Sequence, residues 1–326
     1  MSKENISRRG LFKGAAALAA SAALPAAVSA HIGFGMHRHH HRGVRVLRFA
    51  HLTDIHVSPK DCCALGFDHC LDHLLSQPDP PQFILNGGDT VLDAVGATAS
   101  NNKAQWKTFH KVYHENSNLQ VYHCIGNHDI WGWNRSASHA TGKEARYGKH
   151  WAMEELGLEK PYYSFDRGGW HFIVLDSIRP ARNGFGYVAK LDHEQLVWLN
   201  EDLKRTSPAT PVLVMSHVPI LSVSSFFQKG VEYQSCWKVP AAYMHIDAIR
   251  LKDLFVQHPN VKLCVSGHEH LQGEVKYAGV KYACNGAVSG AWWKGPYQET
   301  QPGYAMVDLF ADGTSKVQYV PWGWKA

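Results

Sequence analysis

Five short stretches of this chain carry side chains able to hold metal ions: Asp54-Ile55-His56, Gly87-Gly88-Asp89, Gly126-Asn127-His128-Asp129, Ser216-His217 and Gly267-His268-Glu269-His270. From them Asp54, His56, Asp89, Asn127, His217, His268 and His270 supply four imidazoles, two carboxylates and one amide. That set is enough for two hard or borderline divalent ions. Asn127 offers a neutral oxygen, which leaves its ion more electrophilic than another carboxylate would. The glycines before Asp89, Asn127 and His268 are expected to let the backbone turn sharply beside the cations. Taken singly, each residue has an ordinary explanation: Asp54 or His56 capping a turn, Asn127 within a turn, His217 packed in a core. The metal reading rests on all five stretches holding together.

Each stretch follows a short apolar run, and the runs read as strands: Val46–Leu52, Gln82–Asn86, Leu119–Ile125, Pro211–Met215 and Val261–Val265, with His171–Leu175 a further one. Side chains at the carboxyl ends of such strands gather where open α/β sheets bind ligands. Helical spacing appears at Trp106, Phe109 and Tyr113, at Leu196, Leu199 and Leu203, and around Ile246, Ile249 and Leu254-Phe255. Asp192 and Gln195 are placed like a helix-capping pair. The C-terminal part is strand-rich, at 273–277, 280–284, 304–309 and 315–319, with a turn at Asp312-Gly313. The expectation is one α/β domain over 44–326, with two stacked mixed sheets and helices outside. Residues 132–148 and 222–241 read as long loops, which are often functional.

In this order the motifs resemble those of the calcineurin-like metallophosphoesterases, and the resemblance runs from about Val46 to the last strands. It implies a four-layer αββα sandwich with a two-metal centre. One ion would be held by Asp54, His56, Asp89 and His270, the other by Asp89, Asn127, His217 and His268, with Asp89 bridging. His128 would stabilise the phosphoryl oxygens or protonate the leaving group. The implied reaction is hydrolysis of a phosphate monoester or diester by a hydroxide bridging the two ions, which lower the pKa of a shared water. The ions are expected to be Mn, Fe, Zn or Co. Many relatives orient the histidine with an acid three residues after the bridging Asp. Here that position is Leu92, so Asp93 and Asp129 both stand as substitutes. Leu92 also removes the tyrosine of the purple acid phosphatase branch. His51 and His123 read as packing or supporting residues, and Glu269 is expected to point away from the metals. Trp131, Trp133, Arg135, Phe226, Phe227, Lys229, Trp292 and Trp293 are possible pocket residues, and an aromatic rim suits a nucleoside or aryl group.

Residues 1–30 read as a twin-arginine signal peptide: Ser7-Arg8-Arg9-Gly10-Leu11-Phe12-Lys13, an alanine-rich run, and a small-residue cleavage pattern at Val28-Ser29-Ala30. The run is short and weakly apolar for a membrane anchor. Export by the twin-arginine machinery and a periplasmic or otherwise extracytoplasmic location follow as expectations. The segment carries four basic side chains and one acid, so cleavage takes the formal charge from +5 to +2. The basic balance therefore argues little for nucleic acid as a partner. Residues 31–43, rich in His and Arg, read as a disordered arm. Seven cysteines remain, with Cys62 or Cys63 placed for a local bridge to Cys70, and Cys124, Cys264 and Cys284 placed as buried hydrophobes. Two other readings compete with the enzyme: a non-catalytic metal-binding interaction module on the same fold, and a metal-handling protein.

Overall fold

The computed structural model describes residues 43–181 and 186–325. The expected signal peptide, and the arm apart from Gly43, lie outside the described residues. Elements are numbered in chain order. One sheet has five strands in the order β15 (Ser315–Pro321), β14 (Gly303–Phe310), β1 (Arg45–Leu52), β2 (Ile84–Asn86), β3 (Val121–His123). The other has six: β12 (Gly273–Tyr277), β13 (Val280–Cys284), β11 (Val261–Ser266), β8 (Val212–Ser216), β5 (Trp170–Leu175), β4 (Tyr163–Arg167). Both are mixed. β1, β2 and β3 run parallel while β14 and β15 are antiparallel to their neighbours. β5, β8, β11 and β13 run parallel, with β4 and β12 antiparallel at the edges. Two small hairpins complete the set: β6 (Ile178–Pro180) with β7 (Tyr187–Ala189), and β9 (Glu232–Tyr233) with β10 (Cys236–Trp237).

Strand alternation explains the layers. On β1, Leu47 and Phe49 join Phe83, Leu85, Trp170, Phe172, Leu213, Met215 and Val265 in a core that draws on both sheets. Ala50 and Leu52 face the other way, onto α1 (Asp61–Leu75) and α2 (Ala99–Asn116), meeting Phe67, Leu71, Trp106 and Phe109. The six-stranded sheet turns Ile173, Leu175, Val212 and Val214 toward α5 (His193–Arg205) and α6 (Ala248–Gln257), where Leu199, Leu203, Leu251 and Phe255 are buried. The expected helix–sheet–sheet–helix layering is what the chain adopts. Two shorter helices, α3 (Arg135–Ser138) and α4 (Lys149–Leu156), lie in and just after the stretch expected to be a loop.

Three local expectations change. α1 was not anticipated; its buried residues Cys63, Gly66, Phe67, Cys70, Leu71 and Leu74 follow a helical repeat. That helix rules out the local disulfide. Cys63 and Cys70 stand two turns apart, about 10 Å along the axis, beyond bridging distance, and all seven cysteines are free thiols. At α5, Asp192 accepts the Gln195 N–H at 2.8 Å, but Gln195 does not reach back to complete the box. Its amide instead clasps the backbone of Asp176 at the end of β5, accepting at 2.9 Å and donating at 3.0 Å.

Candidate metal centre

The parallel strands of both sheets end at one edge of the sandwich. β1 delivers Asp54 and His56, β2 delivers Asp89, and the segment after β3 delivers Asn127 and His128. From the other sheet, β8 delivers His217 and β11 delivers His268 and His270. Asp54, His56 and Asp89 are fully or almost fully buried, as are His217 and His270. Ligand atoms lie within 4.8 Å of one another in three groups: Asp54, His56 and His270; His56, Asp89 and His128; Asp89, His217 and His268. Asn127 Oδ1 lies 3.1 Å from His217 Nε2, beside the third group. The structure thus brings together all eight residues named from sequence.

The carboxylates are oriented by what their second oxygens do. Asp54 Oδ2 accepts from Thr53 Oγ1 at 2.6 Å and from the His268 N–H at 2.8 Å. Its Oδ1 is buried without a hydrogen-bond partner, 3.4 Å from His270 Nε2 and 4.0 Å from His56 Nε2. Asp89 Oδ1 accepts the His128 N–H at 2.8 Å, while Oδ2 faces His217 Nε2 at 3.3 Å and His56 Nε2 at 3.8 Å. Asp89 turns one carboxylate oxygen toward imidazoles of both halves of the cluster.

The imidazoles are set in the same way. A carbonyl can only accept, so His217 Nδ1–H donates to Gly87 O at 2.8 Å and His270 Nδ1–H to Gly290 O. Both rings therefore turn Nε2 into the cluster. His56 and His268 each keep a buried Nδ1 with no partner. Unpartnered buried nitrogen and oxygen are costly unless something else binds them. The donor set, the orphan Oδ1 of Asp54 and the orphan Nδ1 of His268 fit divalent cations.

The electrostatics agree. Burial works to raise the Asp54 carboxyl, and the His270 imidazole outweighs it, so Asp54 sits well below the usual range. Burial likewise opposes charge on Asp89, which His217 and His128 more than offset. Burial lowers His56 and His268 to about 3 each, so both are neutral and able to ligate. Burial also opposes charge on His217, but Asp89 overcomes it and lifts it to about 9. The field of Asp89 demands positive charge at that point, and a metal ion competes there with a proton.

The backbone is bent to reach this arrangement. Asp54, His56, Asp89, His268 and His270 have φ of 56°, 49°, 51°, 71° and 56°. Left-handed geometry costs a non-glycine residue roughly 1–2 kcal/mol. The expected role of the glycines holds only for Gly88, at φ 95°. Gly126 and Gly267 are needed for space instead. A Cβ on Gly126 would collide with Asp89 Oδ1, and one on Gly267 with Thr53 Oγ1 and Asp54 Oδ2.

Of the two substitutes for the orienting acid, Asp129 does not serve His128. It is buried and accepts the N–H groups of Thr90 at 2.8 Å, Val91 at 3.2 Å and Gly126 at 2.9 Å, lacing the Asp89 loop to the Asn127 loop. Burial and the nearby Asp89 charge push its carboxyl up to about 7 against those donors. Asp93 is the acid that faces His128, with Oδ1 4.0 Å from Nδ1. Glu269 points away from the cluster: its carboxylate accepts from Ser222 at 2.7 Å and from Ser224 and Ser225. His51 and His123 sit behind the cluster, bonded to Asn285 at 2.7 Å and Asn86 at 3.1 Å. Sequence reading missed Tyr187 and Tyr243. Their rings stand 6.1 and 6.3 Å from that of His268, and no spacing marks them.

The sequence profile of the family described as Calcineurin-like phosphoesterase matches residues 47–272. A curated 3',5'-cyclic-nucleotide phosphodiesterase from Nostoc sp. (strain PCC 7120) is 31% identical over 175 residues, covering 51% of this chain and 59% of that protein. The chain thus spans about three-fifths of that relative's length. Among solved structures, a dimetal phosphatase from Danio rerio superposes with a TM-score of 0.59 at 14% identity, covering 86% of this chain and 97% of that one. GAP50, the anchor in the inner membrane complex of Plasmodium, superposes at 0.51 with 16% identity, covering 85% and 84%. At these identities the structural likenesses show a shared fold.

Proposed function

This chain belongs to the calcineurin-like phosphoesterase family, and on that premise we propose that it is a metal-dependent hydrolase of small phosphodiesters. Asp54, His56, Asp89 and His270 would hold one divalent ion; Asp89, Asn127, His217 and His268 would hold the other. The observation that carries this reading is Asp89 Oδ2, which faces His56 on one side and His217 on the other. When bound, the ions supply Lewis acidity toward phosphoryl oxygens and a water acidic enough to attack near neutral pH.

The chain's own residues do the rest. The carbonyls of Gly87 and Gly290 fix which nitrogens of His217 and His270 point inward. The backbone N–H of His128 holds Asp89 in its bridging orientation. The His128 ring stands edge-on to His56, with centroids 4.8 Å apart, and its side chain is 29% exposed. Of the five motif imidazoles it is the one read as meeting substrate and giving a proton to the leaving oxygen. The preference for a diester is supported by the Nostoc relative, whose name specifies a cyclic diester.

Purified protein supplied with Mn²⁺ should turn over bis(p-nitrophenyl) phosphate faster than p-nitrophenyl phosphate, and Asp89→Ala should remove both activities. Full activity in Asp89→Ala overturns the two-metal reading. Faster monoester turnover overturns the diester preference. Metal uptake without hydrolysis of either ester favours the interaction module.

We also propose export by the twin-arginine route, carried by residues 7–30. No helix among the described residues is long and apolar enough to cross a membrane. Replacing Arg8 and Arg9 by Lys should retain the chain in the cytoplasm on fractionation; unchanged export sinks the proposal.

A further inference from the structure

Two adjacent tryptophans beside the cluster are used in opposite ways. Trp293 is packing: it is 3% exposed, its indole N–H donates to the His56 carbonyl at 2.9 Å, and it meets Trp322 and Trp324 edge to face. Trp292 is 39% exposed, and among the described residues its indole N–H has no partner. Its ring lies 4.4 Å from that of His270 and 5.7 Å from that of His56, tilted 32° and 44° to them. Trp292 also has φ 50°, a conformation a bulky side chain rarely takes. Trp293 shares that left-handed backbone at φ 69°, so the bend belongs to the turn as a whole, and it leaves part of the Trp292 indole exposed beside two metal-site imidazoles.

The ring is held in place from behind. Tyr297 meets it edge to face, at 5.9 Å and 89°. The Tyr297 hydroxyl donates to Gln228 Oε1 at 3.1 Å, and Gln228 Nε2 donates to the Glu269 carbonyl at 2.9 Å. The Glu269 carboxylate in turn gathers Ser222, Ser224 and Ser225. A hydrogen-bonded network thus runs from the segment between His268 and His270 to Tyr297, which packs against the exposed indole.

We propose that Trp292 is a stacking platform for a planar aromatic group of the substrate, a nucleobase or an aryl ester group, and so a specificity-determining residue. The inference rests on the phosphoesterase reading for its phosphate end, but its test does not depend on turnover. Base–aromatic stacking contributes roughly 1–3 kcal/mol by alanine substitution, or about 5- to 150-fold in affinity.

The experiment is calorimetric titration of the Mn²⁺-supplied protein with adenosine 5'-monophosphate and with ribose 5-phosphate, which share the phosphate and sugar and differ in the base. The wild type should bind the nucleotide at least about 10-fold more tightly. Trp292→Leu should erase that difference, and Trp292→Phe should keep most of it. Affinity for ribose 5-phosphate should stay within about 2-fold in both variants, since they leave the phosphate contacts intact. Equal affinity for the two ligands in the wild type overturns the proposal, as does a preference that survives Trp292→Leu. Parallel loss for both ligands assigns Trp292 to supporting His270 and also overturns it. Binding that behaves as expected in a protein that hydrolyses no ester would sink the enzyme reading and leave the platform standing.

Discussion

Gln105 holds Asp93 by its backbone: Oε1 accepts the Asp93 N–H at 2.9 Å, and Nε2 donates to the Asp93 carbonyl at 3.0 Å. The carboxylate is fixed as well: its Oδ1 accepts the Val95 N–H at 2.9 Å and the Gly96 N–H at 3.4 Å, and stands 4.0 Å from His128 Nδ1. Asp93→Asn should therefore lower kcat by roughly 10-fold with KM little changed. An unchanged kcat would leave His128 without an orienting acid.

The tight glycines separate crowding from strain. Gly126→Ala puts a methyl against Asp89 and should weaken metal affinity by about 10-fold or more, read by competition with a metal-binding dye. Gly157 is the control. It has φ 66° and nothing within 4 Å of an added Cβ. Gly157→Ala should cost about 1 kcal/mol of stability in urea while metal affinity stays put. Equal metal affinity in the two variants would contradict the crowding argument.

Far from the cluster, His171 lies between Asp166, at 2.7 Å, and Asp202, at 2.9 Å. Burial works to lower its pKa, and the two carboxylates, Asp202 first, outweigh burial and raise it above 6.5. Burial works to raise Asp202, and His171 holds it below 3.8. The histidine's contribution is complete below 6.5 and is lost as pH rises through its raised folded value. That of the aspartate is present above 3.8 and is lost as pH falls through its depressed one. The pair stabilises most between those limits, so His171→Asn should lower the urea midpoint more at about pH 5.5 than at about pH 9. A pH-independent decrement would show that packing, not charge, is what His171 contributes.

Much of the architecture was readable because the parallel strands are short apolar runs that stop at residues of another kind: Leu52 before Thr53-Asp54, Val265 before Ser266-Gly267. Helix α1 was not, because its inward face is written in Cys63, Gly66 and Cys70 as well as Phe67 and Leu71. Gly66 looks like a helix breaker until the fold brings the Trp293 ring against it, where a methyl would collide. That the eight candidate residues would gather was legible from motif order, and the direction of Glu269 was anticipated, but its serine partners lie 44 to 47 residues away. The choice between Asp93 and Asp129 needed coordinates, since both sit next to a motif residue and only the hydrogen bonds tell lacing from orienting.

Five of the residues that face one another at the cluster occupy left-handed backbone, and that has a consequence for how the molecule can change. Glycine or asparagine at His56, whose buried Nδ1 has no partner, would relax that left-handed backbone. Selection for heat resistance alone would therefore erode this edge of the sandwich first. The bent backbone here works against stability, and the buried side chains it brings face to face are what it secures.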